Sequence, residues 1–281
     1  MVYQIQDDLY RITVRLPNSP LKYTNSYVIK TKDQNLIIDT GFNLPECYEA
    51  LQDGLNELHI DMYNTDILIT HLHSDHSGLA SEIASPASKI FMSKEDSGLI
   101  NLTILNLNFY WESSEQLYKN EGYPLMNIQN LRSLNPSRNY NPVKEIEAVC
   151  LEEGTVLQYG DYKLECIFTP GHTPGHICLY DREKKILFSG DHILFEITPN
   201  ITTWITLPNA LYHYLNSLEK IKDLPVTLTL TGHRENNGDF KTRIEDLIEH
   251  HHRRLEDVVN IIEANPGLNG YEITGKMKRN I

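Results

Sequence analysis

The chain has 281 residues, with 25 Lys or Arg against 38 Asp or Glu, so its formal net charge is −13. This length suits one large domain with a single core, alone or with a small appendage. The acidic balance opposes general adhesion to nucleic acid or to anionic membranes, although it allows a local basic patch.

The cysteines and the N-terminus bear on the compartment. The four cysteines are scattered without a Cys-x-x-Cys pair, which predicts buried thiols in a reducing compartment and disfavours disulfides or a cysteine metal site. The N-terminus lacks a charged segment followed by an apolar stretch, and no uninterrupted apolar run reaches membrane length. We therefore expect a cytoplasmic protein without a membrane partner.

The first elements in the chain are predicted to be strands followed by a helix. Residues 9–15 alternate apolar and polar side chains, and residues 35–41 form a more apolar strand. Asp39, near the end of this strand, suits a strand-ending turn. Asn43 and Glu46 have the spacing of a capping box, which predicts the start of a helix with one apolar stripe.

A histidine-rich segment follows the apolar run at 65–70, which is typical of a buried strand. His71 and His73 are two residues apart in extended backbone and therefore point the same way. Asp75 and His76 fall where the chain turns toward a helix. Imidazole nitrogens with a carboxylate suit a borderline divalent cation such as zinc, and the segment has more donors than one tetrahedral ion uses. The segment therefore predicts two ions.

The alternating pattern stops between about 93 and 142, where apolar residues at helical spacing and an aromatic cluster predict a helical insertion. Its position next to the histidine-rich segment predicts a roof over the metal site. Phe109, Tyr110 and Trp111 are the candidates for the wall of a substrate pocket. The alternative is that these aromatics pack between the insertion and the main sheet.

Two predicted hairpins, a helix and a last strand follow the insertion. They cover residues 156–168, 176–189, 209–222 and 226–231. His172, Asp191 and His233 each come shortly after one of these strands. Strand ends are the expected place for a site in a layered sheet protein, so these residues are candidates for the same site as the first cluster.

The spacing of these residues resembles the metallo-β-lactamase-fold hydrolase superfamily, and is closest to its glyoxalase II-like and β-lactamase-like endoribonuclease branches. The motifs that carry the resemblance are His71-x-His73-x-Asp75-His76, Gly171-His172-Thr173-Pro174-Gly175-His176, Ser189-Gly190-Asp191 and Thr231-Gly232-His233. The resemblance implies an α/β fold, a four-layer αββα sandwich in which two sheets pack face to face beneath outer helices.

The resemblance also implies a ligand set. His71, His73 and His172 would hold the first ion, Asp75, His76 and His233 the second, and Asp191 would bridge both. Asp39 matches a family position that usually steadies a metal ligand, which is the alternative to a simple turn. His176 and His192, which lie beside ligands in the sequence, are candidates for outer partners or proton donors, but not for ligands.

The implied chemistry is hydrolysis by a hydroxide that bridges two divalent ions, with zinc preferred and iron or manganese as alternatives. The first ion would polarise the substrate oxygen, the second would steady the leaving group, and Asp75 would orient the water. We expect a small ester, thioester or lactone as substrate. The alternatives are an endoribonuclease and a persulfide dioxygenase-like redox enzyme with one iron ion. Nucleic acid, the partner that an endoribonuclease requires, is not the favoured partner of this chain. A homodimer is an open alternative to a monomer.

The expected division is a catalytic domain at 1–239, with its insertion at about 93–142, and a C-terminal helical extension at 240–281. Apolar residues recur at helical spacing over 244–262, and Pro266-Gly267 ends that helix. The segment after it resembles the start of the winged-helix appendage of β-lactamase-like family members. Too few residues follow for a third helix or a wing, so we do not expect it to read DNA.

Overall fold

The computed structural model describes residues 1–105 and 109–277, and within the helices it leaves out the side chains of Phe109, Tyr110, Ser113, Ser137 and Arg138. The strands form two sheets. The first sheet consists, in spatial order, of β1 (Val2–Gln6), β2 (Leu9–Arg15), β3 (Tyr23–Ile29), β4 (Asn35–Ile38), β5 (Thr65–Leu68), β6 (Ile90–Ser93) and β7 (Ala148–Leu151). Strands β1 to β4 pair antiparallel, and β4 to β7 pair parallel.

The second sheet has the spatial order β12, β11, β10, β9, β8. Its strands are β8 (Val156–Tyr159), β9 (Tyr162–Phe168), β10 (Ile177–Asp181), β11 (Ile186–Gly190) and β12 (Leu228–Thr231). Strands β11 and β12 pair parallel, and the other neighbours pair antiparallel. Both predicted hairpins are therefore confirmed.

The helices lie on the outer faces of the sheets, in the histidine-rich segment, in the insertion and in the C-terminal extension. They are α1 (Pro45–Glu57), α2 (Ser74–Ser77), α3 (Ala80–Ile83), α4 (Lys94–Leu105), α5 (Phe109–Asn120), α6 (Leu125–Leu134), α7 (Ser137–Tyr140), α8 (Ala210–Ile221), α9 (Phe240–Ala264) and α10 (Gly270–Lys276). A 3₁₀ turn at Met62–Asn64 leads into β5. Within the described residues, none of these helices has the length and apolarity needed to cross a membrane.

Alternation of side chains along the strands produces the layers. Leu36 and Ile38 of β4 face the second sheet, where they share one core with Leu179 of β10, whereas Ile37 faces the opposite way. The outer face of the first sheet packs against α1, and that of the second sheet packs against α8 and α9. The predicted αββα sandwich is therefore confirmed.

One local prediction needs correction, and two strands are missing from the sequence-based assignment. The capping box is wrong, because α1 begins at Pro45 with Leu44 as its N-cap and no side chain caps it. Asn43 instead donates its amide to the backbone oxygen of Asn141, 3.3 Å away, and so fixes the chain that follows α7. Strands β1 and β7, at the two edges of the first sheet, are not predicted by the sequence patterns either. Strand β1 is mostly exposed and lacks a continuous apolar run, whereas β7 is apolar but has only four residues, too few to indicate a strand by periodicity.

The insertion is helical, as predicted, and is formed by α4 to α7 between β6 and β7. The C-terminal helix α10 contacts it directly. The backbone N–H of Tyr271 donates to the carbonyl oxygen of Glu121 at 2.9 Å, and the Tyr271 ring packs on Tyr123 with 5.1 Å between ring centroids. The C-terminal extension therefore rests on the insertion.

Candidate metal centre

Seven predicted ligands converge at the end of the sandwich where strands of both sheets stop. Four of them follow β5: His71 and His73 in the loop, and Asp75 and His76 on the short helix α2. The other three follow strands of the second sheet. His172 comes after β9, Asp191 after β11 and His233 after β12. All seven are buried except His73, which is half-buried.

The ligand atoms form three overlapping groups in which all atoms lie within 4.8 Å of one another. These groups are His71, His73 and His172; His71, His76 and Asp191; and Asp75, His76 and His233. The first and third groups are the two ligand sets that the sequence motifs imply. The second group shares His71 with the first and His76 with the third, and it adds Asp191.

The carboxylate of Asp191 lies between the two ligand sets. Its Oδ2 is 3.6 Å from His172 Nε2 and 3.3 Å from His233 Nε2, and its Oδ1 is 3.5 Å from His76 Nε2. One carboxylate therefore faces imidazoles of both sets, which is the position a bridging ligand needs.

The donor set fits divalent cations. His172 Nε2 and Asp191 Oδ1 are buried and have no hydrogen-bond partner among the described residues. Ring nitrogens also face one another closely, with 3.2 Å between His76 Nε2 and His233 Nε2. A Cβ on Gly232 would overlap Asp191 Oδ1 and would come within 2.7 Å of the His76 ring, so glycine is required beside the site. Nitrogen and carboxylate donors of this kind suit zinc and similar ions.

Asp39 orients two of the predicted ligands. Its Oδ2 accepts a hydrogen bond from His76 Nδ1 at 2.8 Å, which leaves His76 Nε2 facing the site. Asp39 also accepts from the backbone N–H and the hydroxyl of Thr70, both at 2.8 Å, and this hydroxyl lies 3.0 Å from His71 Nδ1. The φ of Asp39 is 61°. Asp39 therefore adopts the backbone conformation of a strand-ending turn and also contacts a predicted ligand, so both predicted roles occur together.

Backbone oxygens orient two further imidazoles. His172 Nδ1 contacts the carbonyl oxygen of Asn200, and His233 Nδ1 contacts that of Tyr23, both at 2.8 Å. Each contact directs Nε2 of the same ring toward Asp191. Sequence reasoning missed Asn200 and Tyr23, because every residue has a carbonyl oxygen and no motif marks the one that is used.

His176 and His192 lie outside the three ligand groups. His176 Nε2 accepts the backbone N–H of Asp191 at 3.2 Å, and its Nδ1 is 2.8 Å from the Thr169 hydroxyl. His192 is one step farther away, with its ring 5.9 Å from the His176 ring and 5.1 Å from the Tyr214 ring. His176 thus positions the backbone of a ligand, whereas His192 packs behind it.

Burial and charge divide the imidazoles into two kinds. Burial, together with the nearby His172, lowers the pKa of His73 to about 3. Burial also opposes protonation of His233, but the carboxylates of Asp191 and Asp75 outweigh it and raise the pKa of His233 to about 10. The pKa of His76 is raised in the same way by Asp39, Asp191 and Asp75. The set of Asp75, His76 and His233, whose imidazoles face both carboxylates, therefore attracts positive charge most strongly, and a bound ion would displace protons there.

Asp96, which sequence reasoning missed, connects the two ligand loops. It is fully buried in the first turn of α4 and accepts hydrogen bonds from Leu72 N–H at 2.8 Å, the Thr173 hydroxyl at 2.6 Å and Gly175 N–H at 2.6 Å. Leu72 lies between two ligands of the first loop, and Thr173 is adjacent to His172. Burial raises the pKa of Asp96 to about 6, against these hydrogen bonds. In sequence, Asp96 is only one acidic residue at a helix start.

Two cavities of about 350 Å³ each open beside the ligands. The metal cavity is bordered by Asp75, His172 and Asp191. Its described wall also contains Pro20, Leu21, Phe42, Leu194, Ile197 and Pro199. The tryptophan cavity lies under the insertion and is lined by Trp111 of α5 and by Trp204.

The predicted pocket wall falls only partly within the described structure. Trp111 lines the tryptophan cavity. The side chains of Phe109 and Tyr110 lie outside the described residues. His73, Asn135, Pro136 and Asn200 border both cavities, so the cavity under the insertion adjoins the ligands.

Comparison with protein families supports these observations. The model of the metallo-beta-lactamase superfamily matches residues 20–89 and 120–233. The chain is 25% identical over 280 residues to "Beta-lactamase-like protein 2 homolog" from Caenorhabditis elegans, a match that covers 98% of this chain and 78% of the relative. It is 26% identical over 217 residues to "Atrochrysone carboxyl ACP thioesterase nsrC" from Aspergillus novofumigatus. That match covers 75% of this chain and 53% of the fungal protein.

A solved structure agrees with the fold over nearly the whole chain. The metallo-beta-lactamase family protein TTHA1429 from Thermus thermophilus is 27% identical and superposes with a TM-score of 0.82. The superposition covers 96% of this chain and 87% of the other. By contrast, the chain spans 57% of the length of a second fungal relative, "Lactamase-like protein nscB" of Neosartorya fischeri.

Proposed function

Because the chain belongs to the metallo-β-lactamase superfamily, we propose that it is a metal-dependent hydrolase that cleaves a small ester, thioester or lactone. One observation carries the proposal: the group that contains Asp191 shares His71 with one ligand set and His76 with the other, and each of these groups has a member in the wall of a largely apolar cavity. A site with this donor set beside a concave apolar surface is suited to a small substrate with one reactive polar group.

The proposed cofactors are two divalent ions, with zinc preferred. His71, His73 and His172 would hold one, Asp75, His76 and His233 the other, and Asp191 would contact both. When bound, such ions supply a nucleophilic water at neutral pH and polarise the substrate oxygen.

The chain's own residues orient the reactants. Asp75 borders the metal cavity and keeps its Oδ2 3.2 Å from His233 Nε2, so its other oxygen is available to orient the attacking water. Burial opposes ionisation of Asp75, but His76 and His233 hold its pKa at about 2, so the carboxylate stays ionised at neutral pH. The apolar wall, which includes Phe42 and Leu194, limits the access of other water molecules.

The charge of the cavity walls and of the whole chain favours a neutral substrate over RNA. Among the described residues that line either cavity, none is Lys or Arg, and the chain carries a net charge of −13. An RNA-cleaving site needs cations along the path of the phosphates. The named function of the fungal thioesterase also supports ester-like chemistry.

The test is metal-dependent turnover. The purified protein, with its metal content measured, is assayed with thioesters, lactones, carboxylic esters and short RNAs. We expect turnover of at least one acyl substrate, its loss on chelation, and its loss in His233→Ala. His252→Ala, which changes an exposed histidine on α9, is the matched control and should leave activity unchanged. Metal-dependent cleavage of RNA without any acyl substrate being hydrolysed would overturn the proposal.

A further inference from the structure

We propose that the tryptophan cavity binds the apolar acyl group of the substrate, while the metal cavity holds the leaving group. This inference rests on the proposed function, because it assigns the two sides of a scissile acyl bond to two compartments. It goes further in naming the substrate class: an ester or thioester with an extended apolar acyl group.

The position of the cavity is the first argument. His73, Asn135, Pro136 and Asn200 border both cavities, so a substrate can extend from the ligands into the space under the insertion. His73 belongs to the ligand group of His71 and His172, where the carbonyl oxygen is expected to be polarised. An acyl chain attached to that carbonyl carbon would leave the metal cavity past His73.

The chemistry of the wall is the second argument. The apolar part of the lining comes from the first metal loop, the insertion and the loop before α8. It consists of Leu72, Leu99, Ile100, Trp111, Tyr118, Leu131, Leu134, Pro136 and Trp204. The remaining described lining is made of His73 and neutral Ser, Thr and Asn side chains. Burying an apolar group against such a surface is favourable. The same surface offers no cation to a phosphate or a carboxylate.

The rigidity of one wall is the third argument. Trp204 is buried, and its indole Nε1–H donates to the carbonyl oxygen of His172 at 3.0 Å. Its ring lies 6.0 Å from the His73 ring, with 30° between the planes. The wall is therefore fixed relative to two predicted ligands, so an acyl group packed on Trp204 would hold its carbonyl in register with the site.

The volume sets the size of the group. A cavity of about 350 Å³ lies at the lower end of the range for small-molecule sites, and it is separate from the space beside Asp75 and Asp191. An acetyl group would leave most of this space empty. A medium-length aliphatic acyl group or an arylalkanoyl group would fill it.

The placement of tryptophan makes occupancy directly measurable. The chain has two tryptophans, and both line this cavity. We therefore titrate the metal-loaded protein with butyrate, hexanoate, octanoate, decanoate and phenylpropionate while recording intrinsic fluorescence. We expect a saturable change whose affinity rises about fourfold per added methylene until the cavity is full. The comparison of decanoate with phenylpropionate distinguishes aliphatic from aromatic acyl groups.

A matched pair of variants on α4 tests the location. Thr103→Phe places a ring in the cavity and removes only the hydroxyl bond to the Leu99 carbonyl oxygen, whereas Leu105→Phe adds the same ring at an exposed position that does not line the cavity. We expect Thr103→Phe to weaken binding of the longer acids by about tenfold or more. Leu105→Phe should behave as the unchanged protein. Circular dichroism and metal content confirm that both variants fold.

Turnover separates this inference from the proposed function. For esters of the same acids, kcat/KM should rise with acyl length in the unchanged protein and should no longer rise in Thr103→Phe. Saturable acid binding that Thr103→Phe abolishes, without turnover of any ester, would support the cavity assignment and contradict the proposed function. Ester turnover without length dependence, and without a fluorescence response to any acid, would overturn the cavity assignment alone.

Discussion

Asp191 and His176 are in contact but have different relations to the site. Asp191 presents both carboxylate oxygens to imidazoles of the two ligand sets, whereas His176 contacts only the backbone N–H of Asp191. We expect Asp191→Ala to lose bound metal from both sets and nearly all hydrolytic activity, because a bridging carboxylate offsets the repulsion between two cations. His176→Ala should retain most of its metal. Elemental analysis of both variants is the measurement, and two ions bound to Asp191→Ala with normal turnover would contradict the assignment.

Asp96 offers a second test at the scale of a single residue. Asp96→Asn places an amide N–H₂ near backbone donors, so Leu72 or Gly175 loses its acceptor and the loop that carries His71 and His73 loosens. We expect the free energy of unfolding to fall by about 1–3 kcal/mol, the cost of a buried donor without a partner. Metal affinity should fall about 10–100-fold, as for other outer partners of ligands.

The matched control for Asp96→Asn is Asp66→Asn. Asp66 is also buried and accepts from Lys89 N–H at 2.8 Å and from the Tyr159 hydroxyl at 2.7 Å, but it lies in β5, away from the ligand loops. This variant should lose stability without losing metal affinity. Competition with a chromophoric chelator measures the affinity, and equal losses in both variants would show that Asp96 acts only through stability.

The raised pKa of Asp96 also determines the direction in which stability changes with pH. Because the folded-state pKa is raised from 3.8 to about 6, the folded chain holds more protons than the unfolded chain between these values. The contribution of Asp96 to stability is therefore full below about pH 4 and is lost as the pH rises through about 6. The stability difference between the unchanged protein and Asp96→Asn should shrink over this window. Urea unfolding at several pH values checks it, and a constant difference would contradict the shift.

The sequence predicts ligands far better than it predicts their partners. His71, His73, Asp75 and His76 can be recognised because one short segment places several metal-binding side chains at a strand end. Asp96 acts through the folded contact of two distant loops, and a lone carboxylate in a sequence carries no sign of that contact. Partners such as the carbonyl oxygen of Asn200 leave no sign at all.

At the scale of elements, the helices of the insertion are predictable but their packing is not. The sequence shows apolar residues at helical spacing, yet the contact between α10 and the loop after α5 depends on Tyr123 and Tyr271, which lie far apart in the chain. Edge strands and the start of α1 are missed for a similar reason. Their local patterns are weak, and tertiary contacts such as that of Asn43 with Asn141 decide the outcome.

The contact of α10 with the insertion can be tested with one ring. Tyr271→Ala removes the packing on Tyr123 and the contact of the Tyr271 hydroxyl with Asn127, 3.4 Å away. The free energy of unfolding should fall by about 0.5–1.5 kcal/mol, the range for an aromatic pair. We expect faster amide exchange in α5 and α6 and a higher KM, with unchanged metal content. Tyr212→Ala, at a position 64% exposed on α8, is the control. Equal exchange rates in both variants would show that α10 does not hold the insertion.

At the scale of the whole molecule, the candidate metal centre joins the two halves of the sandwich. His71, His73, Asp75 and His76 follow a strand of the first sheet, while the other three ligands follow strands of the second. The periodicities of the strands predict individual strands, and the family resemblance implies that they form two sheets with a shared core and two outer faces. The periodicities do not predict that ligands from both sheets come together, which the family motifs alone imply; in the structure the ligand atoms of each group lie within 4.8 Å of one another.

Removal of metal should therefore lower the stability of the whole sandwich. An ion that binds only the folded chain at about a thousand times its Kd stabilises it by about 4 kcal/mol. For a chain of this size, such a loss lowers Tm by roughly 10 °C. Hydrogen bonds between the halves remain after chelation, including that of the Tyr27 hydroxyl with the Thr231 carbonyl oxygen at 2.7 Å. The metal-free chain should thus stay folded.

Calorimetry with and without a chelator measures this change, and Asp191→Ala is the internal reference. If the ions join the halves through Asp191, the variant should melt near the metal-free Tm and should respond little to the chelator. Far-UV circular dichroism should stay the same in all four samples, since the sheets do not depend on the ions. A chelator-induced drop as large in Asp191→Ala as in the unchanged protein would place the stabilising ion elsewhere and would separate the ligand cluster from the stability of the fold.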